Sequence, residues 1–260
     1  MKRVIENSRA IVTGASSGIG RATALELAKN GASLVVVARR EDRLQSLVDE
    51  ITALGRRVVP IVGDITDPPT RQRAVDVAKE KLGGLDILVN NAGVGAMGLF
   101  EAIAPENVRR VMEVNYFALV DMTRVALPLL KQGNRPIVVN ISSILGHRGV
   151  PHNSIYAASK FAVHGFSESI RAEFTRYGID VLVVSPGTTE TEFFDRVIEK
   201  NTEPNWPQHK PIPASKVAQQ IVTAIRRGKH EIVPYVWGRV LCWLNRLSPR
   251  LVDTIMTWYV

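Results

Sequence analysis

Along its length the chain alternates short apolar runs with longer amphipathic segments. Strand-like runs fall at residues 10–12, 33–38, 58–62, 85–89, 136–141, 180–184 and 231–234. Between them, residues 21–29, 41–54, 70–82, 106–130, 154–169 and 215–227 read as helices, the segment 106–130 carrying Val108, Val111, Met112, Leu119 and Met122 in broadly helical phase. The run from Ser33 to Ala38 is apolar almost throughout, as expected of a strand covered on both faces. Strands alternating with helices in this way predict an α/β chain with one doubly wound sheet of about seven mainly parallel strands and helices on both faces.

Beyond residue 233 the pattern changes. Val236, Trp237, Val240, Leu241, Trp243, Leu244 and Leu247 fall near one helical face, and residues 251–259 add a second apolar segment. No uninterrupted apolar run reaches the ~18 residues that spanning a bilayer requires. We therefore divide the chain into one domain, 1–233, and an extension, 234–260, that is not a domain of its own. The preferred reading packs this extension on a partner subunit or over a cleft; the other lays it, basic and amphipathic, on a membrane surface.

Composition narrows the choice. With 260 residues, 45% hydrophobic and 22% charged, the chain suits one domain with a substantial core. Cys242 is the single cysteine, so no internal disulfide forms and no oxidising compartment is needed. The polar start running straight into a strand leaves no room for a signal peptide, and a cytoplasmic protein is expected. The formal charge of +8 arises from scattered pairs such as Arg56-Arg57 and Arg109-Arg110, without the interleaved aromatics of a strand-binding groove, so no nucleic-acid partner is expected.

Candidate chemistry begins at the first strand-to-helix turn. Gly14, Gly18 and Gly20, with Ser16, Ser17 and Ile19 between them, give the spacing G-x-x-x-G-x-G. Glycines permit a tight turn and a close backbone approach, and the N–H groups opening the next helix receive a pyrophosphate. The second strand ends in Ala38-Arg39-Arg40, without the acid that would bind a ribose 2′-hydroxyl. Arginine there suits a 2′-phosphate, so NADP(H) is the expected cofactor, with Arg39 as the main contact and Arg40 as the second.

Tyr156 and Lys160 lie four apart, a spacing that puts both on one helix face. An ammonium beside a phenol favours the phenolate, so a lowered tyrosine pKa and proton transfer near neutrality are expected. Upstream, a strand closes on Ser142 and Ser143. The loop 144–153 carries His147, Arg148 and His152, which are candidates to touch substrate, though loop histidines read more readily as plain surface residues; no cluster of histidine, cysteine and carboxylate has metal-ligand spacing, so no metal is expected.

Together with Asn90-Asn91-Ala92-Gly93, these features resemble the short-chain dehydrogenase/reductase family over at least residues 9–233. The resemblance implies a Rossmann-type fold and reversible hydride transfer between the cofactor and a carbonyl or secondary alcohol. It makes Tyr156 the proton donor and Lys160 its partner. The family's thirteen-residue spacing selects Ser143 over Ser142 as the hydroxyl on the substrate oxygen. It gives Asn115, in Val114-Asn115-Tyr116, a place in a proton relay; as a buried amide Asn115 also suits a structural clamp. It places Asp64 and Ile65 at the adenine, and Asn91, Ala92 and Gly93 along the cofactor. The Pro186-Gly187 turn with Thr191 would receive the carboxamide, together with Thr189, where the family often has an apolar residue. Homodimers or homotetramers are implied as well. Residues 192–213, with Phe193, Phe194, Val197 and Trp206, have the position of a substrate lid, and their apolar content points to an apolar ketone, aldehyde, acyl or sterol-like substrate.

Three alternatives stand beside this reading. One is an NAD(H)-preferring dehydrogenase. Another is a sugar-nucleotide epimerase or dehydratase, whose larger C-terminal substrate domain is lacking here. The third is a catalytically idle nucleotide sensor or scaffold on the same fold.

Overall fold

The computed structural model describes residues 2–202 and 210–259. Seven strands form the main sheet: β1 (Arg9–Thr13), β2 (Ser33–Ala38), β3 (Val58–Val62), β4 (Ile87–Asn90), β5 (Ile137–Ile141), β6 (Asp180–Val184) and β7 (Glu231–Ile232). Their order across the sheet is β7-β6-β5-β4-β1-β2-β3, and every pairing is parallel. The order in which strands are added reverses between β1 and β4, the switch point at which such sheets open a crevice for ligands.

The strand β2 shows why both faces must be apolar. Leu34, Val36 and Ala38 enter one core cluster, with residues of α1 (Gly18–Lys29), α2 (Glu41–Ala53) and α7 (Ala214–Arg227). Val35 and Val37 enter the other, with residues of α3 (Pro68–Val77), α5 (Ala118–Leu130) and α6 (Ser154–Phe174). Alternate side chains of a strand point to opposite faces, and each fully buried aliphatic side chain contributes about 1.5–3 kcal/mol.

The segment predicted as one helix over 106–130 is continuous but not uniform. It runs as α4 (Pro105–Met112), a π-helical turn over Glu113–Phe117, and then α5. A single π turn inside an α-helix commonly marks a functional position, and this one holds Asn115. Pro128 lies inside α5 near its end.

The extension forms α8 (Val236–Leu247) and α9 (Pro249–Met256). Both are held to the loop after β5: Arg148 pairs with Asp253 and donates to Asn245 Oδ1 at 3.1 Å, Asn245 donates to the His147 carbonyl at 3.2 Å, and a His152 ring nitrogen meets the Tyr259 carbonyl at 3.2 Å. Arg148 and His152, read from sequence as surface residues, are the ties that hold the extension over the cleft. Its inner residues Leu241, Leu244, Val252 and Met256 line that cleft, whereas Trp243, Leu247 and Trp258 face outward. Among the described residues no helix is long and apolar enough to cross a membrane.

Candidate active site

The cleft opens where β1 and β4 part. Gly14 and Gly18 take φ of +64° and +55°, a region costly for any residue with a Cβ. A Cβ on Gly14 would stand 2.8 Å from Ala92 Cα, and one on Gly20 would stand 2.3 Å from Asn91 Nδ2. That closeness has a purpose, because Asn91 Nδ2 donates to the carbonyls of Thr13 at 3.0 Å and Gly14 at 3.1 Å, lashing the glycine turn to the end of β4. Ser17 occupies the N-cap of α1 without bonding the helix's own amides. The first-turn N–H groups are thus left for an anion.

The two arginines after β2 divide differently from expectation. Arg40 donates to Ser16 Oγ at 2.9 Å and Ser17 Oγ at 2.6 Å, and it pairs with Glu192 at 3.1 Å. Arg39 is 64% exposed, with the Asp64 carboxylate 3.7 Å away. Arg40, expected as the lesser contact, is therefore the guanidinium bonded to the glycine turn. Asp64 is occupied too: it accepts from the Thr66 amide and hydroxyl at 3.0 and 2.9 Å and pairs with Arg110 at 2.7 Å. Burial works to raise its pKa, but these bonds prevail and hold the carboxyl below its ordinary value. Ile65, beside it, is buried and lines the same cleft.

Tyr156 and Lys160 project from α6 into the floor of the cleft, beneath Ser143 at the end of β5. The phenol is hydrogen-bonded to the Ser143 hydroxyl. Ser142 turns the other way and donates to the Lys160 carbonyl at 3.2 Å, so the serine at the phenol is the one that the spacing selected. The expected lowering of the Tyr156 pKa is not found. Burial pushes it up to about 12 against the opposing Ser143 bond, and burial likewise lowers Lys160 to about 8. The reason is geometric: Lys160 Nζ donates to the Ile141 carbonyl at 2.9 Å and stands 5.6 Å from the centre of the Tyr156 ring, so its charge does little to offset desolvation at the phenol oxygen.

Asn115 is fully buried at the π turn. Its Oδ1 accepts from the Val94 amide at 2.8 Å, while its Nδ2 donates to the Val94 carbonyl at 3.0 Å and Ser159 Oγ at 2.9 Å. These bonds join α6 to the chain just past Gly93, as a clamp does. The Pro186-Gly187 turn closes the far side. Thr189 is buried and donates to the Gly187 carbonyl at 2.9 Å, and a Cβ on Gly18 would touch the Thr191 side chain at 3.0 Å, so this loop folds against the glycine turn. In the segment expected to form a lid, the Phe193 ring stands 5.4 Å from that of Tyr156. Trp206 lies outside the described residues. The cleft so enclosed measures about 940 Å³.

Residues 8–202 match the short chain dehydrogenase family. This chain belongs to that family. The short-chain dehydrogenase is 38% identical over 247 residues to a protein of Arabidopsis thaliana named 11-beta-hydroxysteroid dehydrogenase-like 4A, covering 93% of this chain and 81% of the relative. Its fold resembles a short chain dehydrogenase/reductase of Burkholderia phymatum in complex with NAD, with a TM-score of 0.87 at 26% identity over 96% of both chains. It also resembles one of Burkholderia cenocepacia in complex with NADP, with a TM-score of 0.79 at 30% identity over 89% of this chain and 97% of the other. The protein is an oxidoreductase fold acting on alcohol or carbonyl groups.

A dinucleotide fits the residues of this dehydrogenase, because the glycine turn lines the cleft and the first turn of α1 behind it carries no side-chain cap. Gly14 through Gly20, Arg40, Asp64, Ile65, Asn91 to Gly93 and the loop from Pro186 to Thr191 would hold it. Sequence reading missed two contributors, Glu192 on Arg40 and Ser159 on Asn115. Neither has a local signal, since each meets its partner only across the fold.

Proposed function

We propose that the protein is an NADP(H)-dependent reductase of an apolar carbonyl compound, working reversibly on the matching secondary alcohol. The observation that carries this reading is the Tyr156 phenol, bonded to Ser143 at the floor of an apolar cleft and held up to about 12. A phenol that keeps its proton across physiological pH suits a proton donor more than a base. Phe193 stands against its ring and Leu241, Leu244, Val252 and Met256 from the extension line the same cleft, which supports an apolar ketone, aldehyde, acyl or sterol-like substrate.

A bound nicotinamide cofactor supplies the hydride. Tyr156 gives its proton to the carbonyl oxygen as negative charge develops there, and Ser143 donates a hydrogen bond to the same oxygen. Lys160, fixed on the Ile141 carbonyl at the floor of the cleft, would hold the nicotinamide ribose of the bound cofactor. Asn115 keeps α6 in register with the Gly93 loop. Arg40, flanked by Ser16 and Ser17 at the start of α1, supports recognition of a 2′-phosphate, and no acid stands at the end of β2 to select NAD(H).

The test is a panel of apolar carbonyl compounds with NADPH and NADH oxidation followed optically. Turnover with NADPH well above that with NADH supports the reading, whereas equal or better use of NADH refutes the cofactor assignment. Tyr156→Phe should lower turnover about 10²–10⁴-fold while NADPH still binds. Retained turnover would remove the proton-donor role and favour the idle-scaffold alternative.

A further inference from the structure

Behind the catalytic floor, three side chains far apart in sequence converge. His147 follows the turn Ile144–Gly146 that begins at Ser143, His164 lies one helical turn beyond Lys160 on α6, and Glu231 opens the edge strand β7. His147 Nε2 stands 2.9 Å from Glu231 Oε1 and 3.1 Å from Ser185 Oγ, and Ser185 Oγ stands 3.2 Å from His164 Nε2. The ligand atoms of the two histidines and the glutamate all lie within 4.8 Å of one another, and Ser185 is fully buried at the end of β6.

The chemistry of this group is that of a cation site. Two imidazole nitrogens and a carboxylate oxygen are the donor set that zinc takes up, and donors at about 2.0–2.1 Å from a tetrahedral zinc lie about 3.2–3.4 Å from each other. Three contacts of this cluster, at 2.9, 3.1 and 3.2 Å, are near that edge length before any ion draws the donors in. Nothing in the proposed hydride transfer uses these residues, and the cluster does not depend on which cofactor or substrate the cleft takes.

We propose that His147, His164 and Glu231 bind a divalent cation of the zinc type, with the Ser185 hydroxyl at the fourth position. The ion would cross-link the loop that carries Ser143 to α6 and β7, bracing the catalytic floor from behind. Binding requires His147 Nε2 without its proton, which would move to Nδ1 or to solvent. This assignment departs from the expectation, drawn from spacing along the chain, of no metal. Separations of seventeen and sixty-seven residues along the chain resemble no ligand motif.

The experiment uses the untagged full-length protein, stripped with a chelator and dialysed, with Zn²⁺ as the probe. Competition against a chromophoric zinc chelator should show one equivalent bound, and Co²⁺ in its place should give the visible absorption of a tetrahedral site. His164→Gln and Glu231→Gln should each weaken zinc at least about tenfold. Glu231 sits on a short edge strand, so its variant keeps the test available if the buried His164 variant does not fold. Cys242, a thiol close enough to feel the Glu231 charge, is controlled by Cys242→Ser, which should bind as the parent does. Absence of stoichiometric binding overturns the proposal. So does binding that survives Glu231→Gln unchanged, or binding lost only in Cys242→Ser.

Discussion

Lys160 does not rest on the Tyr156 hydroxyl: its ammonium is held by the Ile141 carbonyl at 2.9 Å, with the tyrosine ring centre 5.6 Å away. With Lys160 lowered to about 8 and Tyr156 raised to about 12, the two titrate in the reverse of the order in which the free side chains are usually paired for a base. The lysine, not the tyrosine, changes charge nearest to neutrality. Carbonyl reduction should accordingly decline as pH rises through about 8, while Tyr156 remains protonated. A profile of kcat/KM between pH 6 and 10 checks this, and a plateau continuing to pH 10 would contradict it. The same lowering has a stability consequence. Below its folded pKa the buried ammonium opposes folding, so its penalty is relieved as pH rises from about 8 towards the ordinary value of 10.5.

Arg40 and Glu192 set the second expectation. Arg40→Ala should weaken NADPH binding by about 10–100-fold, as loss of a charge-assisted contact does, and leave NADH within a few-fold. Glu192 also pairs with Arg43 at 3.1 Å and Arg196 at 3.1 Å, so its carboxylate occupies guanidinium groups that a phosphate would otherwise engage. Glu192→Gln should therefore tighten NADPH by up to about fivefold without changing NADH, the range of an exposed ion pair. Fluorescence titration with each nucleotide reads both effects.

Asn115→Ala distinguishes a clamp from a relay. Removal of the amide leaves the Val94 amide and carbonyl and the Ser159 hydroxyl short of partners inside the protein. The expected loss is about 2–4 kcal/mol of stability, read by urea denaturation. A variant that keeps its stability but loses kcat would instead make Asn115 a relay residue.

Asp86 offers a test of the fold alone. Burial works to raise its pKa, but Arg9, which pairs with it at 2.7 Å, and the Asn134 amide hold it below its ordinary 3.8. Asp86→Asn should cost about 2–3 kcal/mol at pH 7, short of the full value for a buried pair because Arg9 is partly exposed. A carboxylate with a lowered folded pKa stabilises above its unfolded value and loses that contribution as pH falls through the folded one. The gap between parent and variant should thus close below pH about 4 in a series of urea melts.

Sequence by itself determined the architecture, because side-chain alternation in a strand and the 3.6-residue period of a helix are local rules. Ser33 to Ala38 could face two apolar layers in only one way, and Tyr156 and Lys160 had to share a helix face. The glycine turn was legible for the same reason, since only a residue without a Cβ tolerates φ of +64° at Gly14 beside Ala92. The tertiary structure decided everything that depends on burial or on partners distant along the chain. Whether Tyr156 titrates high or low follows from how much water surrounds its oxygen and how far Lys160 stands from it. Which of Arg39 and Arg40 turns inward, what Asn115 holds, where the extension lies and that His147 meets Glu231 were likewise settled there. Each is fixed by contacts across the fold, which no local pattern encodes.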